Sequence, residues 1–197
     1  MSSDPIIPIR PRRLRQQPHL RAMLSGVTLK RSDIIVPLFV RDGTNTRIPV
    51  PSMPGVFQMS VDVATDWLAR RADEGFMAYL VFGVIDRAKK DAVGSAALDE
   101  NNVVCRLLQS ARSRKIPMAG MTDLCFCEYT SHGHCGVLTD DRQTVANDVT
   151  VERLVKQAVN HARAGAAVVA PSGMMDGAVA ALRNGLDAAD FADVAIL

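Results

Sequence analysis

Two hydrophobic rhythms alternate along the chain. Short, nearly unbroken apolar runs recur at residues 32–40 ("SDIIVPLFV"), 76–84 ("FMAYLVFGV"), 116–127 ("IPMAGMTDLCFC"), 166–172 ("AAVVAPS") and 191–197 ("FADVAIL"). Runs this short, rich in β-branched residues and flanked by Gly, Pro and Asp, predict strands; the first reads as buried on both faces. Between them the apolar positions move to helical spacing. In residues 60–75, "SVDVATDWLARRADEG", Val63, Trp67, Leu68 and Ala72 form a stripe that opens on Ser60 as N-cap and stops at Gly75. A second helix is predicted around residues 101–115. A third lies over 150–165, where Val151, Leu154, Val155, Ala158, Val159 and Ala162 run between Thr150 as N-cap and Gly165 as C-cap, and a fourth over 177–190.

Strands alternating with helices imply a parallel α/β sheet with right-handed crossovers, either an open doubly wound sheet or a (β/α) barrel. Two features favour the barrel. The polar residues with chemical potential (Lys89, Lys90, Asp91, Asp123, the cysteines, Ser172, Asp176) all follow strand C-terminal ends, where such proteins build their sites. No glycine-rich phosphate fingerprint follows any strand, so the commonest use of the open sheet lacks its signature. A (β/α)8 barrel takes about 250 residues, and five strands are counted here. The expectation is an N-terminal arm over 1–31 followed, over 32–197, by the first five β/α units of a TIM barrel, truncated after the fifth strand.

Composition narrows the class. With 48% apolar and 22% charged residues and a net charge of +2, the chain has the profile of a globular protein without a generally nucleic-acid-binding surface. No apolar run is long enough to span a membrane, and the first 20 residues lack a signal-peptide core, so a cytoplasmic protein is expected. The basic residues Arg10, Arg12, Arg13, Arg15 and Arg21 are interrupted by Pro5, Pro8, Pro11 and Pro18. That pattern favours a stiffened arm, packed on another subunit or solvated, over a phosphate-binding one.

The densest chemistry lies in "TDLCFCEYTSHGHCG", residues 122–136, which holds three of the four cysteines and two of the four histidines. In a reducing compartment, clustered cysteines point to metal or catalysis before disulfides. The spacing C-x-C-x7-C of Cys125, Cys127 and Cys135 is not the C-x2-C of zinc ribbons or redox pairs, yet three thiolates so close can meet on one tetrahedral zinc. Three protein ligands leave a position for water or substrate; His132 or His134 in that position would close the site. A redox pair and unconnected cysteines stay open as alternatives. Asp123, two residues before the first cysteine, can transfer protons or support the metal. Cys105, alone among apolar neighbours, reads as a core filler.

These motifs, with "ANDVT", "VAPSGMMDG", "FGV", "KKDAVGSAALDE", "PLFV" and "MPGV" in order along the chain, resemble the 5-aminolevulinate dehydratase family, also called porphobilinogen synthases. The resemblance implies a (β/α)8 barrel whose arm embraces a neighbouring subunit in a homo-oligomer, often an octamer. It implies a lyase reaction that joins two molecules of 5-aminolevulinate into porphobilinogen with loss of two waters, early in tetrapyrrole and haem synthesis. Cys125, Cys127 and Cys135 match the zinc ligands of the zinc-dependent branch, with an additional magnesium implied for the full-length enzyme. Thiolate ligands select zinc and leave such enzymes vulnerable to lead. Asp123 and Ser172 match active-site residues, and Phe82, Lys90 and Asp91 match positions lining the substrate.

The family also forms Schiff bases through two lysines, and by this resemblance both fall beyond "DVAIL". Of the five lysines present, Lys30, Lys115 and Lys156 lie at the wrong places in the pattern, and Lys89 and Lys90 lie in a polar loop without the desolvation that lowers an amine pKa. The expectation is the N-terminal portion of such an enzyme, with the metal site present and the lysine half absent. A non-catalytic zinc-binding or assembly fragment is the alternative.

Overall fold

The computed structural model describes residues 9–141 and 143–197; Pro5 and Pro8 of the expected arm lie outside the described residues. The chain divides after Lys30 into two compact units. In the first, a 3-10 turn (Pro11–Arg15) and helix α1 (Pro18–Met23) each begin with a proline at the first turn, where its missing N–H costs nothing. Neither element buries a residue, and Ile9, Leu14, Met23 and Leu24 are exposed.

The second unit runs β1 (Ile35–Arg41), β2 (Arg47–Pro49), β3 (Phe57–Ser60), α2 (Val61–Asp73), β4 (Ala78–Val84), α3 (Val103–Ser113), β5 (Ala119–Leu124), α4 (Asn147–Ala164), β6 (Val168–Pro171), α5 (Ala178–Ala188) and β7 (Ala195–Ile196). The seven strands form one sheet in the order β2-β3-β1-β4-β5-β6-β7, parallel throughout except where β2 pairs with β3. The five predicted strands are β1 and β4 to β7, side by side in chain order.

Register shows why the two faces differ. Leu38, Val81, Thr122 and Val169 lie on one row across the sheet and are all buried. On that face Leu38, Val40, Tyr79 and Val81 pack with Leu68 of α2 and Leu107 and Leu108 of α3. Farther along the sheet, Leu124 and Val169 pack with Leu154 and Ala158 of α4 and Leu182 and Leu186 of α5. Each fully buried leucine contributes about 2 kcal/mol through apolar burial. The adjacent row, Pro37, Leu80, Met121, Val168 and Ala195, faces the other way and remains partly or fully exposed. Among the described residues no helix covers that second face. The strands were expected to alternate with helices, and they do; the expected double burial of β1 is not found, because its helices pack from one side.

Two details depart from the periodicity. The short strands β2 and β3 were not expected, since Pro49, Pro51, Pro54 and Gly55 break the alternation; β2 places its proline on a sheet edge, where a missing donor is tolerated. Thr150 was expected to cap α4, but the helix starts at Asn147. Thr150 lies buried inside it, and its Oγ1 accepts from the Val137 N–H at 3.1 Å, a tie to the cysteine loop. Ser60 takes the N-cap position of α2 as expected but without a side-chain capping bond, its hydroxyl being engaged with the Thr46 backbone; Asn102, not anticipated, caps α3 by accepting from the Cys105 N–H at 2.9 Å, and Gly165 ends α4 at φ 114° as expected.

Candidate metal centre

The cysteine loop leaves β5 at the C-terminal edge of the sheet, and two core side chains anchor it. Phe126 and Tyr129 are almost fully buried, and the Phe126 carbonyl accepts from both the Tyr129 and Thr130 N–H groups at 2.8 Å, folding the segment into a tight turn. Cys125 and Cys127 flank the anchored Phe126, and their Sγ atoms lie 3.2 Å apart. The chain returns through His134, whose carbonyl accepts from Thr130 Oγ1 at 2.9 Å, to deliver Cys135. Gly136 follows because a Cβ there would stand 2.5 Å from Thr150 and Val145. All three Sγ atoms lie within 4.8 Å of one another.

That spacing fits a metal. A tetrahedral zinc with bonds of about 2.3 Å to sulfur spaces its sulfurs by about 3.8 Å. A disulfide needs about 2.05 Å, so the Cys125–Cys127 pair is too far apart to be one, and all four cysteines are free. Burial, together with the neighbouring Cys125 thiol, pushes the Cys127 and Cys135 thiols above the usual range. A divalent cation held among the sulfurs would reverse that shift.

Neither histidine joins the cluster. His132 Nδ1 accepts from the His134 N–H at 3.1 Å, and Nε2 faces the Ala92 carbonyl at 3.0 Å, so both nitrogens are engaged in the Nε2–H tautomer. His134 stacks loosely on it, with ring centroids 5.4 Å apart, and is exposed. Cys105 is fully buried in the α3 core, far along the chain from the loop.

The other expected site residues separate into groups. Asp123, on the face of β5 not covered by helices, has its carboxyl raised by burial, with the Ser172 hydroxyl pulling the other way by hydrogen bonding to it. Asp123 also acts electrostatically on Cys135, so the Asp123–Ser172 pair adjoins the thiols. Phe82 is level with Phe39 on the neighbouring strand, ring centroids 5.5 Å apart. Lys90 lines a cavity of about 230 Å³ at the mouth of β1 and β4. Asp91 serves its own loop: its Oδ1 accepts from the Val93 and Ser95 N–H groups at 3.0 Å, and its backbone carbonyl accepts from Ser131 N–H at 2.8 Å.

Glu128 was not anticipated. It lines the Lys90 cavity, and burial pushes its carboxyl up to about 8, with Asp123 adding to the rise and the Gly83 backbone and Lys90 opposing it. An acid between two candidate ligands was visible, but no spacing rule separates it from a solvated loop carboxylate. Lys89, by contrast, is tied to Asp42 at 2.7 Å, which raises its pKa, the reverse of what an amine nucleophile needs. Lys156 is exposed on α4, and Lys115 sits at φ 53° in the turn entering β5 from its N-terminal end.

Comparison with known proteins identifies the family of the chain. The family model described as delta-aminolevulinic acid dehydratase matches residues 8–197. The delta-aminolevulinic acid dehydratases of Halalkalibacterium halodurans and Escherichia coli K12 are 42% and 44% identical over 188 residues, 95% of this chain. The crystal structure of the Toxoplasma gondii ME49 enzyme in complex with the reaction product porphobilinogen superposes with a TM-score of 0.91 at 34% identity, covering 98% of this chain and 54% of that one. The chain spans about half the length of the curated relatives it matches, 56% and 57% for the two bacterial ones. With the three-cysteine loop in place on a parallel sheet and a family match from residue 8 to the last, the chain belongs to the delta-aminolevulinic acid dehydratase family.

Proposed function

We propose that this chain supplies the zinc and proton-transfer half of a site that condenses two 5-aminolevulinate molecules into porphobilinogen, releasing two waters. The observation that carries the reading is the gathering of three thiols within 4.8 Å beside the Asp123–Ser172 pair at the C-terminal edge of a parallel sheet. Cys125, Cys127 and Cys135 would hold zinc, which supplies a Lewis acid with one position open to substrate. Asp123 holds or accepts a proton at its carboxylate, and Ser172 orients that carboxylate. Phe82, stacked on Phe39, gives the site an apolar wall that limits water. Lys90 lies near enough to bear on substrate charge, while Asp91 fixes the loop that carries Lys90.

The sheet order and the single helix-covered face support a reading of the second unit as the first five β/α units of a (β/α)8 barrel, because a doubly wound sheet reverses strand order and covers both faces. Residues 1–31 are then an arm for homo-oligomer contacts, in an octamer for the full-length enzyme. Among the described residues no helix is long and apolar enough to cross a membrane, which is compatible with a cytoplasmic setting.

The test is a chimera in which residues 31–197 replace the matching segment of the Escherichia coli relative. It forms porphobilinogen from 5-aminolevulinate only with zinc, and Asp123→Asn lowers kcat by about 10²-fold or more. Zinc-independent turnover, or an Asp123→Asn variant as fast as its parent, contradicts the reading.

A further inference from the structure

Ser172 stands at the start of the loop 172–177 between β6 and α5, and Ser172, Met174, Asp176 and Gly177 of that loop are exposed. Strand pairing holds its beginning, where Pro171 is level with Leu124, and Met175 packs against the core between α4 and α5. The far end is held by one side chain. The half-buried Asn147, first residue of α4, meets Asp176 with both halves of its amide: Oδ1 accepts from the Asp176 N–H at 2.8 Å, and Nδ2 donates to the Asp176 carbonyl at 3.2 Å. Nδ2 also donates to Asp148 Oδ1 at 3.0 Å, so the acceptor and both donors of the amide are in use. A carboxylate at this position offers no donor, and an alkyl group offers neither. The same turn of α4 holds the exit of the thiol loop. Two residues beyond Cys135, the Val137 carbonyl accepts from the Ala146 N–H at 2.7 Å, and the Val137 N–H donates to Thr150 Oγ1 at 3.1 Å. The segment carrying Cys135 and the loop carrying Ser172 are therefore both tied to one helical turn.

We propose that Asn147 is a positioning residue: by clamping the backbone of Asp176 it sets the Ser172 hydroxyl against Asp123 and fixes that pair relative to Cys135. The inference rests on the reading of Asp123 and Ser172 as the proton-transfer pair. Asn147 itself touches no reacting atom, and its whole effect passes through the placement of Ser172. Without the clamp, the exposed loop keeps its strand pairing and the Met175 contact but loses its tie to α4, and Ser172 samples positions away from Asp123. Small misplacements of this kind cost rate because catalytic groups act over a narrow range of distance and angle.

Two measurements test it. In the 197-residue chain, Asn147→Leu is expected to speed hydrogen exchange of the Asp176 amide by about tenfold or more and to move the Ser172 Cβ resonance. Asn147→Asp keeps the acceptor, suits a helix N-terminus, and is expected to restore slow exchange to within about threefold of the parent. In the chimera with the Escherichia coli relative, Asn147→Leu is expected to lower kcat by about tenfold with KM changed less than about twofold. In a Ser172→Ala background the same substitution should change kcat by less than about twofold, since the group it places is gone. Equal Asp176 exchange in the parent and Asn147→Leu overturns the proposal, as does an unmoved Ser172 resonance or a kcat loss that persists in full without the Ser172 hydroxyl. A parent chimera without turnover counts against the proposed function; exchange and the Ser172 resonance in the chain then decide the positioning role by themselves.

Discussion

Cys125 and Cys127 owe their proximity to the residue between them. Phe126 is buried completely and turns the chain so that its two neighbours present sulfur to the same point. Replacing Cys127 with Ser should reduce bound zinc from about one per chain to a small fraction at micromolar metal, read by competition with a chromogenic chelator; retention of stoichiometric zinc would mean that the thiols are not the ligands. The gathering of the three thiols was legible in the sequence because soft ligands at short spacing are rare. Glu128 and the tie from Thr150 to Val137 were not, since each depends on what the loop packs against. His161 was equally hidden within an apolar helical stripe. It is fully buried, with Nδ1 3.0 Å from Thr122 Oγ1, and burial depresses its pKa from 6.5 to about 4. The unfolded chain therefore takes up the proton first. Its contribution is complete above about pH 6.5 and falls away as pH drops toward 4, by about 3 kcal/mol. Urea unfolding of the chain and of His161→Asn across that window checks this: the variant should show the shallower slope.

At the scale of elements, the helices follow their sequence punctuation, with Asn102 and Gly165 doing at α3 and α4 what their types predict. Asn102→Ala removes the acceptor of the Cys105 N–H and should cost about 1 kcal/mol, seen as a lower thermal midpoint with unchanged zinc uptake. Helix propensity alone misjudges Gly185. Alanine would favour α5 by about 1 kcal/mol in isolation, but its Cβ would stand 2.2 Å from Val155 Cγ1 on α4. A β-branched side chain has little freedom to move aside. Gly185→Ala is accordingly expected to destabilise by about 1–3 kcal/mol, and a denaturation midpoint at or above the parent's would refute that packing. The strands β2 and β3 escaped the sequence for the opposite reason: their pairing compensates for a proline-rich segment that has no strand periodicity of its own.

Across the molecule, the sheet divides the work between its faces. One is sealed by four helices and carries the core; the other, with Phe82 and Asp123, meets the thiol loop at its C-terminal edge. The order of β1, β4 to β7 and the helices between them was readable from periodicity, whereas β2, β3 and the one-sided placement of the helices needed the register. Because the loop holding the thiols is pinned to Asp91 and to α4, metal binding should stabilise the folded unit, with zinc at about 100 times Kd adding about 2.7 kcal/mol. The most direct measurement is zinc K-edge X-ray absorption on the zinc-loaded chain. Three sulfur scatterers at about 2.3 Å and one lighter oxygen or nitrogen neighbour are predicted for the three thiolates with an open position. A shell of four sulfurs, or one dominated by imidazole, would contradict the account.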